Sequence, residues 1–264
     1  MRDSIEQEAG NSASWLKDNR LCVACDKSKL LLIGTRKLRA SKLTENLKIV
    51  VDDKVITETS SEKLLGVVVN NEITFKNHLY GDTENEGLVQ QLARRVGVIK
   101  KMSRHMNRKN LSFFASGIFY SKLNYCLPLF GNVLGLEHYI DQNARYQSYT
   151  VKDNNKLQVL QNNLNRILLG ARNDTPTEVL LNATNSLSVQ QMIAFQTAVL
   201  AFKITKSGKP SYIARKLQKQ EAGMTLRESQ ERIFVKNTRL TISREGFIHR
   251  AAILLNSLGT DLRK

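Results

Sequence analysis

Cys22 and Cys25 stand at the C-x-x-C spacing that can hold a metal ion or run thiol chemistry. Asp52-Asp53 is the paired-carboxylate arrangement that two-metal catalysis uses. Both patterns are incomplete. A structural zinc site needs four ligands, and no second C-x-x-C or His pair follows at the usual distance, because His78, His105, His138 and His249 are scattered. Asp52-Asp53 is followed by Lys54 between two apolar runs, and no separate acidic strand precedes it, so a solvated hairpin turn is expected. Phosphate-cradling loops of the G-x-x-x-x-G-K-[ST] or G-x-G-x-x-G kind do not occur. No Ser, His and Asp can be chosen as a triad without geometry. The residues assign no catalytic group and no metal ligand.

The chemistry that the sequence does favour is ionic. Against 24 Asp and Glu stand 40 Lys and Arg, a net charge of +16 in 264 residues, with a pI near 9.9. An excess of that size points to a polyanion, first of all nucleic acid. The distribution sharpens the point. Residues 1–86 are close to balanced, whereas 87–135 contain no acid at all and carry Arg94, Arg95, Lys100, Lys101, Arg104, Arg108, Lys109 and Lys122. The segment from Lys203 onward is also basic. Cations that merely solvate a helix face are the alternative, but a one-signed run this long is expected to meet phosphates.

Elements must position those cations. With 41% hydrophobic and 24% charged residues, the chain has the apolar content of a folded protein. Ile5, Ala9, Ala13 and Leu16 predict a first helix, with Trp15 as a core anchor beside the stripe. Apolar runs at 29–34, 47–51, 55–58 and 64–69 predict strands, the second and third forming a hairpin. Helical spacing follows: Leu88, Leu92, Val96, Ile99 and Met102; then 110–125, interrupted by Pro128 and Gly131; then 156–169, ending at Gly170. Thr175-Pro176 opens a short helix, 189–204 a longer one, and 247–258 closes the chain after a polar linker. The stretch 135–153 reads as a loop. The prediction is an α+β protein: 1–80 with a helix and short antiparallel strands, 81–206 mainly helical, and 207–264 a basic segment with a closing helix. No run of about 18 apolar residues offers a membrane span, and the polar first fifteen residues offer no secretory signal. Three cysteines build no disulfide framework, which makes a reducing, intracellular compartment, nucleus or cytoplasm, the default.

Three stretches and the tail carry a resemblance. Trp15, Asn19 and Leu21 precede Asp26-Lys27-Ser28-Lys29 and an apolar run; Lys63-Leu64-Leu65-Gly66-Val67 precedes Ile73-Thr74-Phe75 and His78. Leu157-Gln158, Gln161-Asn162, Arg166-Ile167 and Gly170 form the third, and Gly246-Phe247, Arg250-Ala251-Ala252 and Asn256-Ser257-Leu258 the tail. In this order they resemble the carboxy-terminal part of a non-LTR (LINE-type, Jockey- or CR1-like) retrotransposon reverse transcriptase, an RNA-directed DNA polymerase: motif D, the primer-grip motif E, and the thumb with its following region. Leu254-Leu255 replaces the family's Leu-Trp, and 141–155 looks like an insertion, departures that suggest a decayed copy.

The resemblance implies that 1–80 is a residual palm and 81–206 a thumb-like region. It gives Lys27 the place of the motif D lysine near the leaving pyrophosphate, and Leu65 and Gly66 that of the primer grip. Arg94, Arg95, Lys100, Lys101, Arg104, Arg108 and Lys109 become the phosphate contacts along an RNA–DNA template–primer duplex. The family's catalytic acids, which hold two Mg2+ in the intact enzyme, lie upstream of motif D. These residues are therefore expected to bind template–primer without sequence preference and without catalysis, with another chain as a candidate source of the missing palm. The alternatives are a helical protein-interaction module that assembles with another chain, and a non-functional retroelement remnant.

Overall fold

The computed structural model describes residues 2–24, 27–34, 48–51, 54–131, 151–217, 233–235 and 246–258. Cys25, Asp26, Asp52, Asp53, His138 and most of the expected loop at 135–153 lie outside the described residues. The protein is α+β, with two small antiparallel sheets early in the chain and helices after them. It divides into two units, Met1–Gly87 and Leu88–Lys264.

In the first unit the opening helix α1 spans Arg2–Asp18. Its 3–4 stripe works as the spacing requires: Ala13 is buried against Ile49, Val51 and Ile56, with Ile5 and Ala9 packed beside it. Those partners come from β1 (Lys48–Val51) and β2 (Lys54–Thr57), an antiparallel pair in which Val50 faces Val55. Strand alternation sends Ile49, Val51 and Ile56 to α1 and leaves Val50 and Val55 exposed on the other face. Trp15 is 63% exposed, so the small Ala13, not the expected Trp15, anchors α1. Among the described residues the run at 29–34 makes one isolated bridge, Leu30 to Glu58, and a single bond from the Gly34 N–H to the Asn71 carbonyl at 3.2 Å, rather than a regular strand: apolar content alone does not supply a continuous partner.

The expected strand at 64–69 is instead the tip of a hairpin. β3 (Ser61–Leu64) and β4 (Val67–Asn70) pair antiparallel with Leu64 opposite Val67. Leu65 and Gly66 between them have φ of 48° and 83°, the positive values that a two-residue type I′ turn needs at both positions. Leucine hides this turn in sequence, because Asn, Asp or Gly normally announces it. In such a hairpin the Lys63–Val68 pair points its N–H groups away from the partner strand. Helix α2 (Lys76–Tyr80) packs on β4 and meets that need: the buried His78 accepts from the Val68 N–H through Nδ1 at 3.4 Å. Asp82 then gathers the following loop, accepting from the N–H groups of Glu84 (3.0 Å) and Asn85 (2.7 Å) and from the Ser61 hydroxyl (3.1 Å).

The second unit is helical. Helix α3 (Leu88–Met102) buries Leu88, Leu92 and Ile99. After a turn, α4 (Arg108–Ala115) runs into a π-helical turn at Ser116–Tyr120 and then α5 (Ser121–Asn124). Helix α6 (Leu127–Phe130) begins just past Cys126, whose φ of 55° makes the break one residue earlier than Pro128 would suggest. Helix α7 spans Val151–Leu169, starting within the segment expected to be loop, and Gly170 ends it with φ of 64°. Helix α8 (Thr177–Thr184) takes Pro176 as its N-cap, and α9 (Val189–Ser207) is opened by a capping box between Ser188 and Gln191. Short helix α10 (Ser211–Ala214) and a 3-10 turn (Arg215–Leu217) occupy the start of the expected linker. The closing helix α11 (Phe247–Ser257) packs on α9, where Ala251, Ala252 and Leu255 share a core with Ala201, Ile204, Leu217 and Ile233.

Candidate nucleic-acid interface

Helix α7 supplies the frame that fixes this unit, and it does so with the polar residues of the third motif. Gln161 and Asn165 are fully buried and Asn162 nearly so. Gln158 accepts from the Val189 N–H at 2.9 Å, satisfying a first-turn donor of α9, and donates to Gln161 and Asn162 at 2.9 Å each. Gln161 donates to the Leu187 carbonyl at 2.7 Å, and Asn162 to the Thr177 hydroxyl at 2.8 Å. The Tyr120 hydroxyl, 3.4 Å from both Gln161 Nε2 and Asn165 Oδ1, brings the π-helical turn into the same network. A half-made buried network would cost more than an apolar one, so these amides specify one docking of α7 on its neighbours. The tail motif is structural in the same way. Arg250 is buried and donates to the carbonyls of Gly131 and, at 2.8 Å, Pro128. Asn256 pairs with both backbone groups of Ile233, at 2.8 and 2.9 Å.

On this frame the basic residues separate into two groups. Arg94 and Lys101 lie seven residues apart, on the side of α3 opposite Leu88, Leu92 and Ile99, and both are exposed. Lys100 and Arg104 are exposed as well, as are Arg108 and Lys109 at the start of α4. Arg95 departs from the expected set. It is half-buried and donates to the Ile118 carbonyl inside the π-helical turn, because its position on α3 falls next to the buried stripe. It belongs to the packing. The exposed cations of the set are therefore Lys100, Lys101, Arg104, Arg108 and Lys109 around the α3–α4 corner, with Arg94 about two turns back along α3.

Local electrostatics distinguishes the two sides of that corner. Lys100 and Lys101 occupy the last turn of α3, where the helix dipole favours cations. Arg108 and Lys109 occupy the first turn of α4, where the dipole opposes them and no acid compensates. Asn107 caps that turn, accepting from the Asn110 N–H at 2.9 Å. A helix chosen only for stability would carry Asp or Glu there. Two cations added to the positive end of a helix make a concentrated positive potential that an anion relieves.

The remaining expected residues belong to the first unit. Lys27 is exposed, and its N–H donates to the Ala24 carbonyl at 2.9 Å. Leu65, at the hairpin tip, is 83% exposed, an apolar side chain on a left-handed backbone, beside Gly66. Among the described residues no cluster of three or more His, Cys, Asp or Glu is placed to hold a metal ion. The two Mg2+ that the resemblance implies for an intact enzyme thus find no fitting carboxylate set among these residues, and no reaction step is assigned to them. The sequence did not single out Phe113, which falls within the expected helix at 110–125 and is 68% exposed on α4. Its position four residues after Lys109 was the available signal.

No family model matches the chain, and neither a curated protein nor a solved structure matches it. The class defined by the fold is an α+β protein with a helical basic corner.

Proposed function

We propose that the protein binds template–primer duplex through the α3–α4 corner, as a thumb-like part of a non-LTR reverse transcriptase, and that it does so without regard to base sequence. The observation that carries this reading is the pair Arg108 and Lys109 in the first turn of α4, exposed, with no acid in that turn, and at the wrong end of the helix dipole. Arg94, Lys100, Lys101 and Arg104 add to the same sign of charge, and residues 87–135 contain nothing to offset it. Cations of this kind neutralise phosphates and position a duplex, while sequence readout needs base-edge contacts. The resemblance gives polymerisation itself to carboxylates upstream of motif D, and no residue named here is given that role.

A second reading has its own observation. Val50 and Val55, cross-strand partners, leave an apolar face of the β1–β2 hairpin exposed, which favours assembly with another chain. Fluorescence anisotropy of a labelled RNA–DNA primer–template, titrated across salt concentrations, separates the two. Affinity that falls steeply with salt, and collapses when Arg94, Lys100 and Lys101 are reversed to Glu, supports the duplex grip. No binding at low salt, with concentration-dependent self-association or pull-down of a partner lost on Val55→Lys, replaces it by the assembly reading. Failure of both, with a non-cooperative melt, leaves a retroelement remnant.

A further inference from the structure

Arg108, Lys109, Ser112, Phe113 and Ser116 line an open depression of about 520 Å3 on α4 and the start of the π-helical turn. Its chemistry is graded along the helix. The cations occupy the first turn, and Phe113 follows Lys109 by four residues, a rise of about 6 Å. The two serines are already committed as donors: Ser112 donates to the Arg108 carbonyl and Ser116 to the Ser112 carbonyl, each at 3.0 Å. Their hydroxyls therefore face the depression with acceptor lone pairs only. An acceptor repels a phosphate oxygen and attracts an N–H or O–H, so the serine end suits a base amino group or a ribose hydroxyl. The cation end suits the phosphate. Phe113, 68% exposed, offers the flat apolar surface on which a base stacks.

From this arrangement we infer that the depression is a site for one unpaired nucleotide of a single strand, its base on Phe113 and its phosphate on Arg108 and Lys109. A duplex cannot use the site in this way, because its bases are stacked on one another and their faces are closed. The inference rests on the reading of the α3–α4 corner as a nucleic-acid interface and adds to it a contact for strand outside the duplex.

The test is anisotropy with two probes, a single-stranded RNA of about twelve nucleotides and a blunt RNA–DNA duplex of similar charge. Phe113→Ala lowers the ratio of single-strand to duplex affinity about tenfold, the loss expected for one base–aromatic stack, and Phe113→Trp restores it. Phe113→Leu does not restore it, since leucine keeps apolar contact without an aromatic face. The melting curve stays put in each variant because Phe113 is on the surface. A ratio unchanged by Phe113→Ala, or restored equally by Leu, overturns the inference. Duplex binding that survives while the ratio ignores Phe113 removes this site alone. Single-strand binding that depends on Phe113 with no duplex binding removes the duplex grip and keeps the site.

Discussion

Arg95 donates its guanidinium to the carbonyl oxygen of Ile118, across from α3 to the π-helical turn, while Arg94 beside it in sequence is exposed. One residue of helical rotation, about 100°, turns one cation toward the packing and the other toward solvent. A π-helical turn lengthens the backbone register and leaves carbonyls that need outside donors, and Arg95 supplies one. Arg95→Ala is expected to cost about 1 kcal/mol of stability, for a part-buried carbonyl that loses its donor. Arg94→Ala is expected to stay within about 0.5 kcal/mol and to lower the salt slope of duplex binding by about 0.9, one phosphate contact. Urea denaturation and anisotropy on the two variants check both halves.

Arg108 and Lys109 give the opposite pairing of effects. Replacing both by Glu places acids in the first turn of α4, where the dipole favours them, and is expected to stabilise the protein by roughly 0.3–1 kcal/mol per site. The same change reverses the charge of the proposed phosphate contact and is expected to abolish binding at moderate salt. A thermal melt and a binding titration on one variant read both. A lower melting temperature would show that these cations are held for packing.

Leu65 carries a left-handed backbone that Asn or Gly adopts at lower cost, since each L-residue there costs roughly 1–2 kcal/mol. Leu65→Asn makes the Asn-Gly tip preferred by type I′ turns and is expected to recover about 1 kcal/mol of that. If the tip touches the primer strand, as the resemblance implies, affinity for primer–template falls at the same time. Hydrogen exchange at Val67–Asn70 reports the first effect and anisotropy the second.

Gln158 serves the α9 N-terminus. Gln158→Leu keeps the volume and removes both the acceptor for the Val189 N–H and the donor to Gln161 and Asn162. The expected loss is about 1–3 kcal/mol, read by urea denaturation, with duplex binding retained below the transition. A loss of binding without a loss of stability would instead place Gln158 on the nucleic acid.

Asp82 sets an acid dependence. Partial burial pushes its carboxyl up, but the N–H groups of Asn85 and Glu84, the Asn85 amide and the Ser61 hydroxyl together hold it below the usual carboxylate value. A group lowered on folding contributes stability above its unfolded value, about 3.9, and that contribution fades as pH falls through the folded value. Wild type is expected to melt above Asp82→Asn at pH 6, and the gap to close below about pH 4. A gap independent of pH would assign the loop to hydrogen-bond geometry alone.

Periodicity and composition by themselves determined α1, the β1–β2 hairpin, the stripes of α3, α7 and α9, the Gly170 stop and the acid-free basic stretch, because each is a local pattern of one element. They also determined the α+β class. Tertiary structure alone decided which side chains those patterns leave exposed. Trp15 and Phe113 look like core in sequence and face solvent, whereas Gln161, Asn165 and Arg250 look like surface and are buried. The turn at Leu65-Gly66 was hidden by an apolar residue at a position that a polar one usually marks. The reason is common to all of them: burial depends on which distant segment lies opposite. An amide or guanidinium is buried where a group from a distant segment, such as the Leu187 carbonyl for Gln161 or the Pro128 carbonyl for Arg250, completes its hydrogen bonds.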